Sequence, residues 1–96
     1  MIAVLGAGES GVGAALLAKQ KGYDVFVSDL GVVKDSFKEE LNDKGIDWEE
    51  GGHTEKKILA AELLIKSPGI PETKLVAKAR ANGVEVLSEI EFASRF

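Results

Sequence analysis

Three glycines mark the stretch best suited to chemistry. In GAGESGVG, residues 6–13, Gly6, Gly8 and Gly11 stand at G-x-G-x-x-G spacing. That spacing belongs to a strand-to-helix turn that offers backbone N–H groups to a phosphate. Gly6 permits the tight turn, Gly8 lets a pyrophosphate come close to the backbone, and Gly11 lets the helix lie against the sheet. The unpaired amides of the first helical turn, with the helix dipole behind them, favour an anion. The same glycines also suit a close-packed turn with no ligand. The spacing therefore leaves open a nicotinamide or flavin dinucleotide, another phosphate-bearing ligand, or nothing. Glu9 sharpens the question. Two like charges about 4 Å apart repel by roughly 4 kcal/mol at an effective dielectric near 20. We therefore expect the Glu9 side chain to point outward, with only its N–H turned to a ligand. Ser10 is better placed to touch one, through its hydroxyl and its N–H.

Two further stretches belong on the same rim. Asp29 closes the second strand expected, eighteen residues after Gly11. An acid near this point meets ribose hydroxyls in dinucleotide sites; an ordinary strand-end acid looks the same. KSPGIP, residues 66–71, follows the fourth strand expected. Ligands of open parallel sheets bind at the carboxyl ends of the strands, so this loop should join Gly6–Ser10 and Asp29–Gly31. Ser67 can donate to a phosphate or sugar, and Gly69 permits close approach; a plain Pro-Gly turn is the other reading. His53 is the single histidine and has no cysteine with which to share a metal, so we expect it to be an ordinary residue. Trp48 reads as packing. Glu39, Glu40, Glu49 and Glu50 read as solvated faces. No Ser-His-Asp set and no G-x-x-x-x-G-K-[ST] P-loop can be found.

The elements that must hold these residues alternate. Residues 2–6 (IAVLG) are an uncharged apolar run, as in a strand buried on both faces. Residues 9–22 carry apolar side chains at helical spacing. Residues 23–29 are β-branched and aromatic. A helix is expected over 35–45, where Ser36 and Glu39 have capping-box spacing. A weak edge strand over 46–51, a short helix over 54–62 and a buried strand over 62–67 follow. Pro71 is placed to open a helix over 71–83. A fifth strand spans 84–88, and Ser88 with Glu91 repeats the capping box at the start of a last helix. GYDV (22–25), GIDW (45–48) and GVEV (83–86) share one pattern, a helix-ending glycine followed by alternation into a strand. The expectation is an α/β, Rossmann-like, three-layer αβα domain with a five-stranded, mainly parallel sheet.

Composition bounds what such a domain does. Ninety-six residues make one domain with one core, 45% hydrophobic and 29% charged. Twelve basic against sixteen acidic residues give a net charge of −4, which argues against a nucleic-acid surface. With no cysteine, disulfides, thiolate nucleophiles and Cys-based zinc sites are excluded. No apolar stretch is long enough to span a bilayer, and no signal peptide is evident, so a cytoplasmic protein is expected. A final helix ending on Phe96, four residues after Phe92, suggests a domain excised from a longer chain.

Taken together, VLGAGESGVGAALLAKQKGYDVFVSD, SPGIP and LSEIEFASR resemble the amino-terminal domain of the Mur ligases, nearest to the D-glutamate-adding branch. The resemblance covers nearly the whole chain, and SPGIP with SEIEF is more specific than the glycines, which oxidoreductases share. The L-alanine-adding branch ranks second. The resemblance implies a three-domain, ATP-dependent ligase of peptidoglycan synthesis. Its first domain holds the UDP end of UDP-N-acetylmuramoyl-L-alanine, its middle one binds ATP and Mg, and its last helps bind the amino acid. The substrate carboxylate becomes an acyl phosphate, which the amine of D-glutamate attacks. By position, Gly8, Glu9, Ser10 and Gly11 would face the diphosphate. Asp29, Leu30 and Gly31 would face uracil and ribose, and Ser67, Pro68 and Gly69 would line the path to the sugar. Relatives can place a hydroxyl and a basic residue after the acid. Here Leu30 and Gly31 stand there, so backbone contacts to uracil must serve. Residues 1–96 would then be the UDP-substrate domain alone, with no catalytic residue, no metal and no cofactor of its own, and inactive by itself. An oxidoreductase domain binding NAD(P) or FAD, or a stand-alone nucleotide sensor, is the alternative.

Overall fold

The computed structural model describes residues 1–67 and 70–96. Five short strands alternate with five helices. In chain order they are β1 (Ile2–Leu5), α1 (Glu9–Gln20), β2 (Val25–Ser28), α2 (Asp35–Asp43), β3 (Asp47–Glu49), α3 (Glu55–Leu59), β4 (Leu63–Lys66), α4 (Lys74–Ala81), β5 (Glu85–Leu87) and α5 (Glu89–Ala93). The sheet order is β3-β2-β1-β4-β5, and every pairing is parallel. The sheet is thus wholly parallel where a mainly parallel one was expected. Each strand after β1 is reached through a helix, so no hairpin is available to reverse one. The order changes direction at β1: β2 and β3 extend to one side, β4 and β5 to the other.

The three central strands are apolar on both faces because helices cover both faces. Ile2 and Val4 join Val27, Ile65, Ala15, Ala18, Leu41 and Phe92 in a core beneath α1, α2 and α5. Ala3 and Leu5 turn the other way, onto Leu64, Ile58, Leu75, Val76 and Ala79 beneath α3 and α4. One strand therefore feeds two cores by simple alternation. The outer strands β3 and β5 are shorter and more exposed, as their acids foretell. The three helix-ending glycines, Gly22, Gly45 and Gly83, all take positive φ.

Two helix starts differ from expectation. The second capping box forms: the Ser88 hydroxyl accepts from the Glu91 amide at 3.1 Å, and the Glu91 carboxylate accepts from the Ser88 amide at 2.9 Å. The first does not. The N-cap of α2 is Lys34, with no side-chain cap, so Ser36 already lies inside the helix. Likewise α4 begins after Thr73, whose hydroxyl accepts from the Val76 amide at 3.3 Å. Pro71 stands three residues before the first helical residue, in the extended approach that its fixed φ suits.

Candidate functional site

The carboxyl ends of β1, β2, β3 and β4 frame a cleft of about 490 Å³. Its wall begins at the β1–α1 turn. Gly6 has φ +96°, and a Cβ there would stand 2.7 Å from Cδ1 of Ile70 on the opposite wall. A Cβ on Gly11 would stand 1.9 Å from the Gly6 carbonyl oxygen. Only glycine lets α1 start this close to the end of β1. Gly8 is different: a Cβ there meets nothing within 4 Å. It is the N-cap of α1, with no side-chain cap, and the first helical bond runs from the Val12 amide to the Gly8 carbonyl at 2.9 Å. The amides of Glu9, Ser10 and Gly11 precede that bond and lie in the turn that has no intrahelical acceptors. Glu9 and Ser10 are exposed at the edge of the cleft. A carboxylate at the first helical position is favoured by the dipole.

Asp29, Leu30, His53, Ser67, Ile70 and Pro71 complete the lining. The structure therefore brings together Gly8, Glu9, Ser10, Gly11, Asp29, Leu30 and Ser67 of the expected set. Gly31 adjoins the cleft through its bond to Asp29, and Pro68 and Gly69 lie outside the described residues. Asp29 has a defined internal job. Its Oδ2 accepts from the Ala7 amide at 2.7 Å and its Oδ1 from the Gly31 amide at 2.8 Å. The carboxylate thereby ties the glycine turn to the loop after β2. Each oxygen keeps a second lone pair, so a ligand donor is not excluded. On the far wall, the Lys66 ammonium donates to the Ile70 carbonyl at 2.7 Å and holds the side of the cleft that packs on Gly6. Leu30 is 65% exposed and offers the cleft an apolar surface.

Residues read as bland turn out to organise the third wall. Glu50 is exposed, as expected of a solvated acid, but Glu49 is half-buried, and both are held by hydrogen bonds. Glu49 accepts from the Thr54 amide at 2.7 Å, the Thr54 hydroxyl at 2.6 Å and the Ser28 hydroxyl at 2.8 Å. Partial burial pushes its carboxyl up, but these bonds and the nearby His53 outweigh it, and its pKa lies below the usual 4.5. Glu50 accepts from the Val33 amide at 2.8 Å and pairs with Lys38 at 3.2 Å, and these partners hold its carboxyl low as well. His53 lines the cleft, with Nδ1 2.5 Å from the buried Ser28 hydroxyl. No local spacing announces these contacts. Trp48 does pack, half-buried, with its indole N–H on Asn42 at 2.9 Å. Among the described residues, no group of three or more His, Cys, Asp or Glu is placed to hold a metal ion, and the sequence has no G-x-x-x-x-G-K-[ST] P-loop. No helix among them is long and apolar enough to cross a membrane.

The family model for the MurD N-terminal domain matches residues 1–75. The chain belongs to that family. Curated relatives of the chain include the UDP-N-acetylmuramoylalanine–D-glutamate ligase of Bacteroides fragilis, 56% identical over 99% of this chain and 22% of its own. That of Cytophaga hutchinsonii is 57% identical over 98% and 21%. The chain thus spans about a fifth of the length of these relatives. Among solved structures, a pseudomurein peptide ligase type C from Methanothermus fervidus superposes with TM-score 0.85 at 29% identity, over 99% of this chain and 20% of that one. A murein peptide ligase from Psychrobacter arcticus gives 0.86 at 24% identity, over 98% and 20%, which speaks for the fold alone.

Proposed function

We propose that this MurD N-terminal domain binds the UDP end of UDP-N-acetylmuramoyl-L-alanine, as one part of a cytoplasmic, ATP-dependent D-glutamate-adding ligase of peptidoglycan synthesis. The observation that carries the reading is the uncapped start of α1, facing an open cleft at the point where strand order reverses. A diphosphate satisfies the orphan amides there, and Gly8 leaves room for it to approach. Asp29, Leu30, Gly31 and the loop from Ser67 then meet the nucleoside and the sugar. The branch is supported by the family match and by relatives whose names specify D-glutamate addition. The dinucleotide alternative is less well supported, because the family match and the named relatives point to the ligase branch.

In this reading ATP, Mg and the acyl phosphate belong to parts of the ligase outside residues 1–96. This chain orients one end of the substrate and does no chemistry alone. Its grip should be weak. A helix terminus contributes about 1 kcal/mol towards an anion, and the muramoyl and alanyl groups reach beyond the cleft.

Calorimetric titration with UDP, UDP-N-acetylmuramoyl-L-alanine and NAD(H) tests the proposal. Weak binding of both uridine ligands and none of NAD(H) is expected; tight NAD(H) binding with silent uridine ligands would overturn it. The sequence that follows in the native reading frame is a second test, with a G-K-[ST] P-loop expected within a few tens of residues of Arg95.

A further inference from the structure

His53 sits in a hydrogen-bond relay that runs from the sheet into the cleft. The Ser28 hydroxyl is fully buried and has three polar neighbours: Glu49 Oε2 at 2.8 Å, the Gly52 carbonyl at 3.3 Å and His53 Nδ1 at 2.5 Å. A hydroxyl has one proton to give. Glu49 is a carboxylate at neutral pH and can only accept, as can the carbonyl, and the carboxylate is the nearer and stronger acceptor. The Ser28 proton therefore goes to Glu49. The contact with Nδ1 is then a hydrogen bond only if Nδ1 carries a proton and donates it to Oγ. In the neutral ring Nε2 is left with a lone pair, an acceptor with no donor bonded to it among the described residues, on a side chain that lines the cleft.

Position says which part of a ligand meets that acceptor. The loop carrying His53 follows β3, two strands from β1 and the α1 terminus. Its ring lies against Ser28 at the end of β2, the strand beside β1, so His53 stands between one and two strand spacings, about 5–10 Å, from α1, on the Asp29 side of the cleft where the nucleoside end is read to lie. The doubly esterified diphosphate of a UDP-sugar has no proton to offer at neutral pH. The imide N3–H of uracil does, whereas cytosine presents a lone pair at N3.

Resting on the UDP-binding reading above, we propose that His53 is a specificity residue whose Nε2 accepts the uracil N3–H, and that Glu49 and Ser28 are positioning residues that hold its tautomer. The cleft then selects uracil over cytosine through an acceptor fixed from beneath.

Titration of the chain and its variants with UDP and CDP, with nitrogen-15 NMR of the neutral imidazole, tests this. Wild type should prefer UDP about tenfold, the scale of one bond made against one buried group left unpaired. His53→Ala should lose that preference by weakening UDP and leaving CDP unchanged. Ser28→Ala should erode the preference and, in the spectrum, lose the Nδ1–H tautomer that wild type shows. Equal weakening of UDP and CDP by His53→Ala would mean a ribose contact or a structural role, and would overturn the proposal. So would an Nε2–H tautomer in wild type, or equal wild-type affinity for the two nucleotides; these outcomes leave the UDP reading standing. Wild type that binds neither nucleotide would overturn that reading and this one together.

Discussion

Two walls of the same cleft are built on opposite principles. The β1–α1 turn is made by leaving side chains out: Gly6 and Gly11 allow backbone to approach backbone, and Gly8 keeps the approach clear. The wall made by the loops after β2 and β3 is made by putting side chains in. Asp29, Glu49 and Glu50 accept from the backbone amides of Ala7, Gly31, Thr54 and Val33. The first wall is rigid because nothing larger fits; the second is rigid because carboxylates take the loop amides as partners. They should therefore fail in different ways, one to added volume and the other to lost acceptors.

The largest effect is expected at Gly11. In the middle of an exposed helix, Gly→Ala gains about 1 kcal/mol. Here the new Cβ would meet the Gly6 carbonyl oxygen at 1.9 Å, and no side chain can swing away to relieve it. The clash wins: Gly11→Ala should destabilise the chain by about 3 kcal/mol or more, the upper range for overpacking, read in urea unfolding. Gly8→Ala is the control in the same turn. Its Cβ enters open space, so stability should fall by no more than about 1 kcal/mol, because Ala is a poorer N-cap than Gly, while UDP binding falls because the methyl occupies the approach. If Gly11→Ala were as mild as Gly8→Ala, close packing would not be what holds the first wall.

Next in size is the bond between the walls. Asp29→Ala removes the acceptor of the Ala7 amide, on a buried residue, and that of the Gly31 amide. Amides orphaned from a carboxylate cost about 2 kcal/mol, some 10 °C in the unfolding midpoint of a domain this size. Asp29→Asn keeps one acceptor oxygen and should fall between. A variant as stable as the parent would mean that the carboxylate serves ligand alone and braces nothing.

The contrast also explains what could be read in advance. The first wall was legible because its information is local: an apolar run, three glycines at fixed spacing and a helix all lie within twenty residues. The alternation of β1 between two cores was equally plain. The second wall was not legible, because its partners are remote. Ser28 reaches Glu49 across 21 positions and His53 across 25, and Val33 reaches Glu50 across 17. Only the parallel pairing of Ser28 with Glu49 in adjacent strands brings them together. The two capping boxes teach the same lesson. Ser36 and Ser88 have identical spacing to a glutamate, yet only Ser88 is a cap. Helix α2 starts two residues too early for Ser36, where the chain arrives from Val33, buried and held by Glu50. Local spacing proposes a cap, and the route of the preceding loop decides whether it is used.

The smallest effect, and the one most particular to the second wall, is its response to acid. Glu49 has a folded pKa below its unfolded value of about 4.5, because bonds from Thr54 and Ser28 outweigh the opposing burial. A carboxyl depressed on folding lends stability that is complete above the unfolded value and is lost as pH falls through the folded one. Glu49→Gln should therefore be less stable than the parent at neutral pH, and the gap should narrow as pH drops below 4.5. The first wall has no titrating group between its backbones, so the instability of Gly11→Ala should not narrow in this way. Urea midpoints of the parent, Glu49→Gln and Gly11→Ala, measured at neutral pH and again below 4.5, make the comparison. A Glu49→Gln gap that stays constant with pH would mean that the carboxylate's charge contributes nothing to holding the loop, and that geometry alone fixes both walls.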